Sequence, residues 1–130
     1  ECKIAINSIA ELSKKILIGI HLRKGNKLPS GEKFISVVKK LEKYNPLGVI
    51  VSCISSKDVS VVMKDVKKIH IPVGWKPDAT NPNLQLGSKK DLTPKKFSNI
   101  CKKFNKMGAK IIGGCCEITP AHIKAVKKLM

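Results

Sequence analysis

Aromatic side chains are scarce in this 130-residue chain: one Trp, one Tyr and three Phe. Arginine is scarcer, with Arg23 alone. Acids are few as well, 9 Asp and Glu against 26 Lys and Arg, which leaves a formal charge of +17. A charge of that size invites a nucleic-acid reading, and a basic α/β binding module is one reading of the chain. The first two shortages weigh against it. Arginine is the residue suited to bidentate phosphate and guanine contacts, and aromatics are the platforms on which bases stack. The lysines come in pairs, Lys14-Lys15, Lys39-Lys40, Lys67-Lys68, Lys102-Lys103 and Lys127-Lys128, as on solvated outer helix faces. Such a surface still adheres weakly to polyanions at low salt.

Other absences narrow the class further. No apolar run is long enough to cross a membrane. The opening Glu1-Cys2-Lys3-Ile4 lacks the basic region and apolar block of a secretory signal. No Gly-x-Gly-x-x-Gly and no phosphate-cradling loop follows an apolar run, so a dinucleotide fold has no support. The five cysteines are an odd number, which fits a small disulfide scaffold poorly. A reducing, cytoplasmic setting with a metal site fits better. The length is that of one domain. The chain opens without Met and inside an amphipathic stretch, so it is expected to be a fragment lacking an N-terminal part.

What is present alternates. Ile4 to Lys14 reads as a helix with Ile6, Ile9, Ala10 and Leu12 inward, and Ile16 to Leu22 as a strand. Gly25-Asn26 and Pro29-Ser30-Gly31 mark a loop. Phe34, Val37, Val38 and Leu41 recur at helical spacing, and Val49 to Cys53 is a second strand. Ser56 is the expected cap of a helix with Val59, Val62, Met63 and Val66 inward. Ile71 to Trp75 is a third strand, and Lys76 to Asp91 a long polar loop. Thr93-Pro94 starts a helix with Phe97, Ile100, Cys101 and Phe104 inward, which Gly108 stops in a left-handed conformation. Lys110 to Gly113 is a fourth strand, and Thr119-Pro120 starts a last helix from His122 to Leu129. Short Val/Ile-rich strands between helices indicate a parallel sheet covered on both faces. Four such units make either a small open sheet or half of an eight-stranded barrel.

Three thiols stand at strand ends. Cys53 closes the second strand, and Cys115 and Cys116 follow the fourth through Gly113-Gly114. In a parallel barrel, functional groups gather at the C-terminal strand ends, and alternate strands contribute to one layer. The second and fourth strands are alternate, so their ends can meet. Neighbouring strand residues point to opposite faces, so both vicinal thiols reach the mouth only where the backbone leaves β geometry. Gly113 and Gly114 are expected to supply that freedom. Three thiolates around zinc leave a fourth tetrahedral position open, the pattern of catalytic zinc. The competing reading is that these cysteines are small buried apolar residues, and for Cys101, on an inward helix stripe, that reading is preferred. His21 could face the mouth but is expected in a partly exposed, non-catalytic role. His70 is expected at the surface. His122 is expected to be structural or to support the site, and Trp75 to wall the pocket or simply fill a barrel rim.

The stretch Gly108-Ala109-Lys110-Ile111-Ile112-Gly113-Gly114-Cys115-Cys116, then Thr119-Pro120-Ala121-His122-Ile123, resembles the C-terminal signature of homocysteine S-methyltransferases. Val49-Ile50-Val51-Ser52-Cys53 resembles that family's earlier strand with its first zinc cysteine, and Leu28-Pro29-Ser30-Gly31-Glu32 and Thr93-Pro94 with Phe97 fall in the expected order. The resemblance implies a (β/α)8 TIM barrel, of which residues 1–130 would be the C-terminal half, about the last four βα units. It implies zinc on Cys53, Cys115 and Cys116, with the homocysteine thiol in the fourth position and methionine as product. The methyl donor in the family is S-methylmethionine, a betaine or a folate-derived methyl group. An isolated half is expected to be inactive, and a non-functional remnant of the family is a further reading. Two positions depart from the pattern. Glu117 stands where the family usually has Gly, which strains the turn if positive φ is needed there, and it is a candidate to bind the substrate's ammonium group. Ser52 stands where the family often has Asn, so a hydrogen bond to substrate or to the site is expected to differ.

Overall fold

The computed structural model describes residues 2–10, 15–23, 25–78 and 92–129. Its elements alternate as α1 (Cys2–Ala10), β1 (Leu17–His21), α2 (Phe34–Glu42), β2 (Gly48–Ile54), α3 (Ser56–Val62), β3 (Val73–Pro77), α4 (Pro94–Lys106), β4 (Ile111–Ile112) and α5 (Pro120–Lys127). A 3₁₀ segment, Met63–Lys68, continues α3. The expected first helix ran to Lys14, and residues 11–14 lie outside the described residues, as do 79–91 of the expected loop.

The four strands form one sheet in the order β1-β2-β3-β4, every neighbouring pair parallel. Each strand is therefore added beside the one before it, with a helix in every crossover. Parallel crossovers share one hand, so successive helices fall on the same side. The packing shows this. Ile18, Ile20, Val49, Val51, Val73, Trp75 and Ile112 join a single apolar cluster with Phe34, Val38, Leu41, Val59, Val62, Phe97, Cys101, Phe104 and Val126 of the helices. The expectation of helices on both faces is thus corrected. Among the described residues, the opposite face of the sheet carries Leu17, Gly19, His21, Ile50, Ser52, Gly74, Lys76 and Ile111, and none of them belongs to that cluster.

Several boundaries shift for local reasons. Pro72 has no N–H to give a ladder, and β3 begins after it, at Val73. The carbonyl of Pro72 still accepts from Val49 N at 2.9 Å. The α3 cap is Ser55 rather than Ser56: its Oγ accepts from Asp58 N at 3.2 Å. Thr93 caps α4 as expected, accepting from Lys96 N at 3.3 Å, and Gly108 has φ 105°. β4 has only two ladder residues where four were expected. Single backbone bonds prolong it, from Lys110 N to Val73 O (2.9 Å), Gly113 N to Trp75 O (3.0 Å) and Cys115 N to Pro77 O (3.0 Å).

Candidate metal centre

Alternation along β2 sends Val49 and Val51 toward the helices and would send Cys53 after them. The backbone prevents it. Cys53 has φ 51°, and the register with β3 slips between Ser52 and Ile54. This is a β-bulge, which re-aims one side chain at a strand end. Ile54 regains the core at 4 % exposure, while Cys53 is left exposed at the C-terminal end of the sheet.

The vicinal pair is held by a turn. Cys115 N is anchored on Pro77 O, and Ile118 N donates back to Cys115 O at 3.2 Å. Cys116 and Glu117 occupy the two central positions, and Glu117 is left-handed at φ 61°. The third place of such a turn favours Gly when φ is positive, so the anticipated strain at Glu117 is present. The freedom expected of Gly113 and Gly114 is not what the turn uses, because neither has positive φ. Gly114 is needed for space: a Cβ there would sit 2.3 Å from Ile118 Cγ2.

Together the bulge and the turn bring the Sγ atoms of Cys53, Cys115 and Cys116 within 4.8 Å of one another. Cys115 and Cys116 Sγ are 4.0 Å apart. Tetrahedral Zn–S bonds of about 2.3 Å require sulfur separations of about 3.8 Å, so a small inward movement suffices. The donor set is chemically uniform, three soft thiolates, which suits zinc. The hydrogen bond to Cys115, then burial, pushes the Cys53 thiol up to about 12. Burial opposes ionisation of Cys115, but the hydrogen bonds it receives from Cys53 and Cys116 outweigh this and hold it below the usual thiol range. Cys116 is raised, first by its hydrogen bond to Cys115 and then by the charges of Cys115 and Asp78. Of the three thiols, Cys115 is therefore the most readily ionised. Cys101 provides the contrast. It is 1 % exposed in the helix–sheet core, as its inward position predicts.

The remaining candidates separate cleanly. Ser52 is half-buried beside Cys53, on the face away from the helices. Glu117 is half-buried in the turn. His21 is exposed at the end of β1, in register with Ser52. His70 is exposed, and its N–H donates to Glu42 Oε1 at 2.6 Å. His122 is structural: it is 3 % exposed, its Nε2 donates to Leu92 O at 2.7 Å, and its Nδ1 accepts from Thr119 N at 3.1 Å. Trp75 is neither pocket wall nor rim. It is fully buried between sheet and α4, edge-on to Phe104 at 4.5 Å, with Nε1 unpartnered among the described residues. Lys76, read from sequence as loop, is instead a half-buried strand residue near the site.

The family model for homocysteine S-methyltransferase matches residues 1–130, the whole chain. This chain belongs to the homocysteine S-methyltransferase family. It is 30 % identical over 116 residues to homocysteine S-methyltransferase 1 of Zea mays, covering 82 % of this chain and 35 % of that protein. It is 28 % identical over 114 residues to homocysteine S-methyltransferase 1 of Arabidopsis thaliana, covering 80 % and 34 %. The protein of the same description from Brassica oleracea var. italica gives 28 % over 114 residues. The chain thus spans about a third of the length of the relatives it matches. No helix among the described residues is long and apolar enough to cross a membrane.

Proposed function

We propose that this chain forms the thiolate-bearing half of a zinc-dependent homocysteine S-methyltransferase, its four βα units being part of an eight-stranded (β/α)8 barrel. The convergence of three Sγ atoms within 4.8 Å, from the ends of β2 and β4, carries the reading. Family membership supports homocysteine as methyl acceptor and methionine as product. Cys53, Cys115 and Cys116 would hold the ion, and zinc so bound supplies a Lewis acid that keeps a fourth, incoming thiol deprotonated near neutral pH. The bulge at Cys53 and the turn at Cys116-Glu117 bring the three sulfurs together, and the fourth tetrahedral position on the ion would take the substrate. The homocysteine sulfur then attacks the methyl carbon in line. A new S–C bond forms as the methyl–donor bond breaks, and the electron pair of that bond leaves with the donor. Groups that bind the donor are proposed to lie in the other half of the barrel, so residues 1–130 alone are expected to be inactive.

The test is metal analysis joined to methyl transfer. The protein at its natural full length should hold about one zinc per chain, and Cys115→Ser in that protein should lose both the metal and transfer from labelled donor to homocysteine. Folded protein that binds no zinc, or a Cys115→Ser variant that keeps metal and turnover, overturns the proposal.

A further inference from the structure

The turn that carries two of the thiols is tied down at both ends. At its entry Cys115 N donates to Pro77 O at 3.0 Å, and Ile118 N closes it on Cys115 O at 3.2 Å. Its exit runs straight into Thr119, the N-cap of α5. Thr119 N donates to His122 Nδ1 at 3.1 Å, and Thr119 Oγ1 lies 2.9 Å from the same nitrogen. The other ring nitrogen reaches outside the helix: Nε2 lies 2.7 Å from Leu92 O. A carbonyl oxygen only accepts, so Nε2 carries the proton and Nδ1 presents the lone pair that Thr119 N needs. One neutral imidazole serves both bonds.

These bonds join into one path. Leu92 O holds His122, His122 holds Thr119, and Thr119 continues the turn whose entry hangs on Pro77 O. Pro77 closes β3, and Leu92 stands just before the Thr93 cap of α4. The vicinal thiols are thus slung between two fixed points of the helix–sheet scaffold. The imidazole itself is held firmly, edge-on to Phe97 at 5.7 Å, and Phe97 is fully buried beside Trp75. The thiol turn has need of such a support. β4 has two ladder residues, and among the described residues Cys115 N gives the last backbone bond from this segment to β3. Sulfurs spread over as much as 4.8 Å must close to about 3.8 Å around zinc, so the placement of the turn decides how well an ion is gripped.

We infer that His122 is a positioning residue for the metal centre: its Nε2–H bond to Leu92 sets where the Cys115-Cys116 turn stands, and so how tightly the three sulfurs close on the ion. The inference rests on the proposed function. His122 acts through Thr119 and the turn, touching neither ion nor substrate. Groups that orient metal ligands from outside are worth about 10–100-fold in metal affinity. His122 stands further back along the chain, so the lower end of that range applies.

Zinc release to a chromogenic chelator, followed in the zinc-loaded protein at its natural full length, tests it. Two substitutions separate the bonds of the ring. His122→Gln keeps a donor near the Nε2 position and gives up the Nδ1 acceptor. His122→Asn keeps an acceptor near Nδ1 and gives up the bond to Leu92. His122→Asn should release zinc about tenfold faster than the wild type, while His122→Gln stays within about twofold of it. Val126→Ala trims a buried contact of the same helix and leaves the tie to Leu92 in place, so it should lower the urea midpoint without faster release. Wild-type release from His122→Asn, equal acceleration in His122→Gln, or equal acceleration in Val126→Ala overturns the positioning role while leaving the methyltransferase reading intact. A wild type that holds no zinc overturns that reading, and this inference with it. Should His122→Asn fold poorly by circular dichroism, His122→Met replaces it, close in size to Gln but without a donor. The same tenfold acceleration is then expected, and release equal to that of His122→Gln counts against the tie.

Discussion

Glu117 sits at φ 61° in the turn that carries two of the three thiols. A left-handed conformation costs a residue with a Cβ about 1–2 kcal/mol, and Gly gives back about 0.5–1 kcal/mol of that in unfolded-state entropy. Glu117→Gly is therefore expected to raise stability by about 0.5–1 kcal/mol, read as a higher urea midpoint at unchanged slope. A lower midpoint would show that the carboxylate contributes more than the strain removes. Cys101 makes a second residue-level case. Burial pushes its thiol up to about 12, whereas an unfolded thiol ionises near 8.5. Between those values the folded chain keeps a proton that the unfolded chain releases, so stability falls as pH rises. Below about 8.5 the contribution is fully present. Comparing urea midpoints at pH 8 and pH 10, the wild type should lose more stability than Cys101→Ala, and equal losses would contradict the burial argument.

Among the elements, the helices were the more readable. Their inward stripes follow the 3.6-residue period, and Phe34, Val38, Leu41, Val59, Val62, Phe97, Cys101 and Phe104 are all buried as the spacing requires. The caps were legible to within a residue. Ser55 rather than Ser56 closes α3, since either hydroxyl has the chemistry and only the backbone decides. Ser55→Ala should cost about 1 kcal/mol, by thermal or urea denaturation. The strand ends were less legible because they depend on pairing. Nothing local marks Cys53 as a bulge, since the slip appears only against β3. The same holds for Lys76, whose polar neighbours read as loop until its register with Ser52 is known. The three thiols were legible as a group because their sequence positions match two alternate strands. The device that turns them inward was not: the adjacent glycines suggested φ freedom, and the molecule uses Cys53 and Glu117 instead.

At the scale of the whole molecule, the sequential strand order decides the architecture. It places the helices in one layer and leaves β1 and β4 as the outer strands of a four-stranded sheet. Apolar grooves flank both, Ile6, Ile9, Ile16 and Ile18 beside β1 and Ile111, Ile112, Ile123 and Val126 beside β4. The charge has a global effect too. With +17 on the chain and two ion pairs among the described residues, self-repulsion is answered by screening more than by pairing.

The short outer strand β4 gives the thiol cluster a mechanical meaning. Two ladder residues and three single bonds tether it to β3, yet it delivers two of the three sulfurs, while the third is fixed to the interior strand β2. An ion gripped by all three acts as a rivet through the sheet margin, and whatever peels that margin away must first break metal–sulfur bonds. Zinc removal should then speed amide exchange at residues 110–116 by tenfold or more and leave 49–51 unchanged, as measured by hydrogen–deuterium exchange with mass spectrometry. Uniform protection with and without the metal would mean that the margin stands on its own, and that the cluster binds without fastening anything.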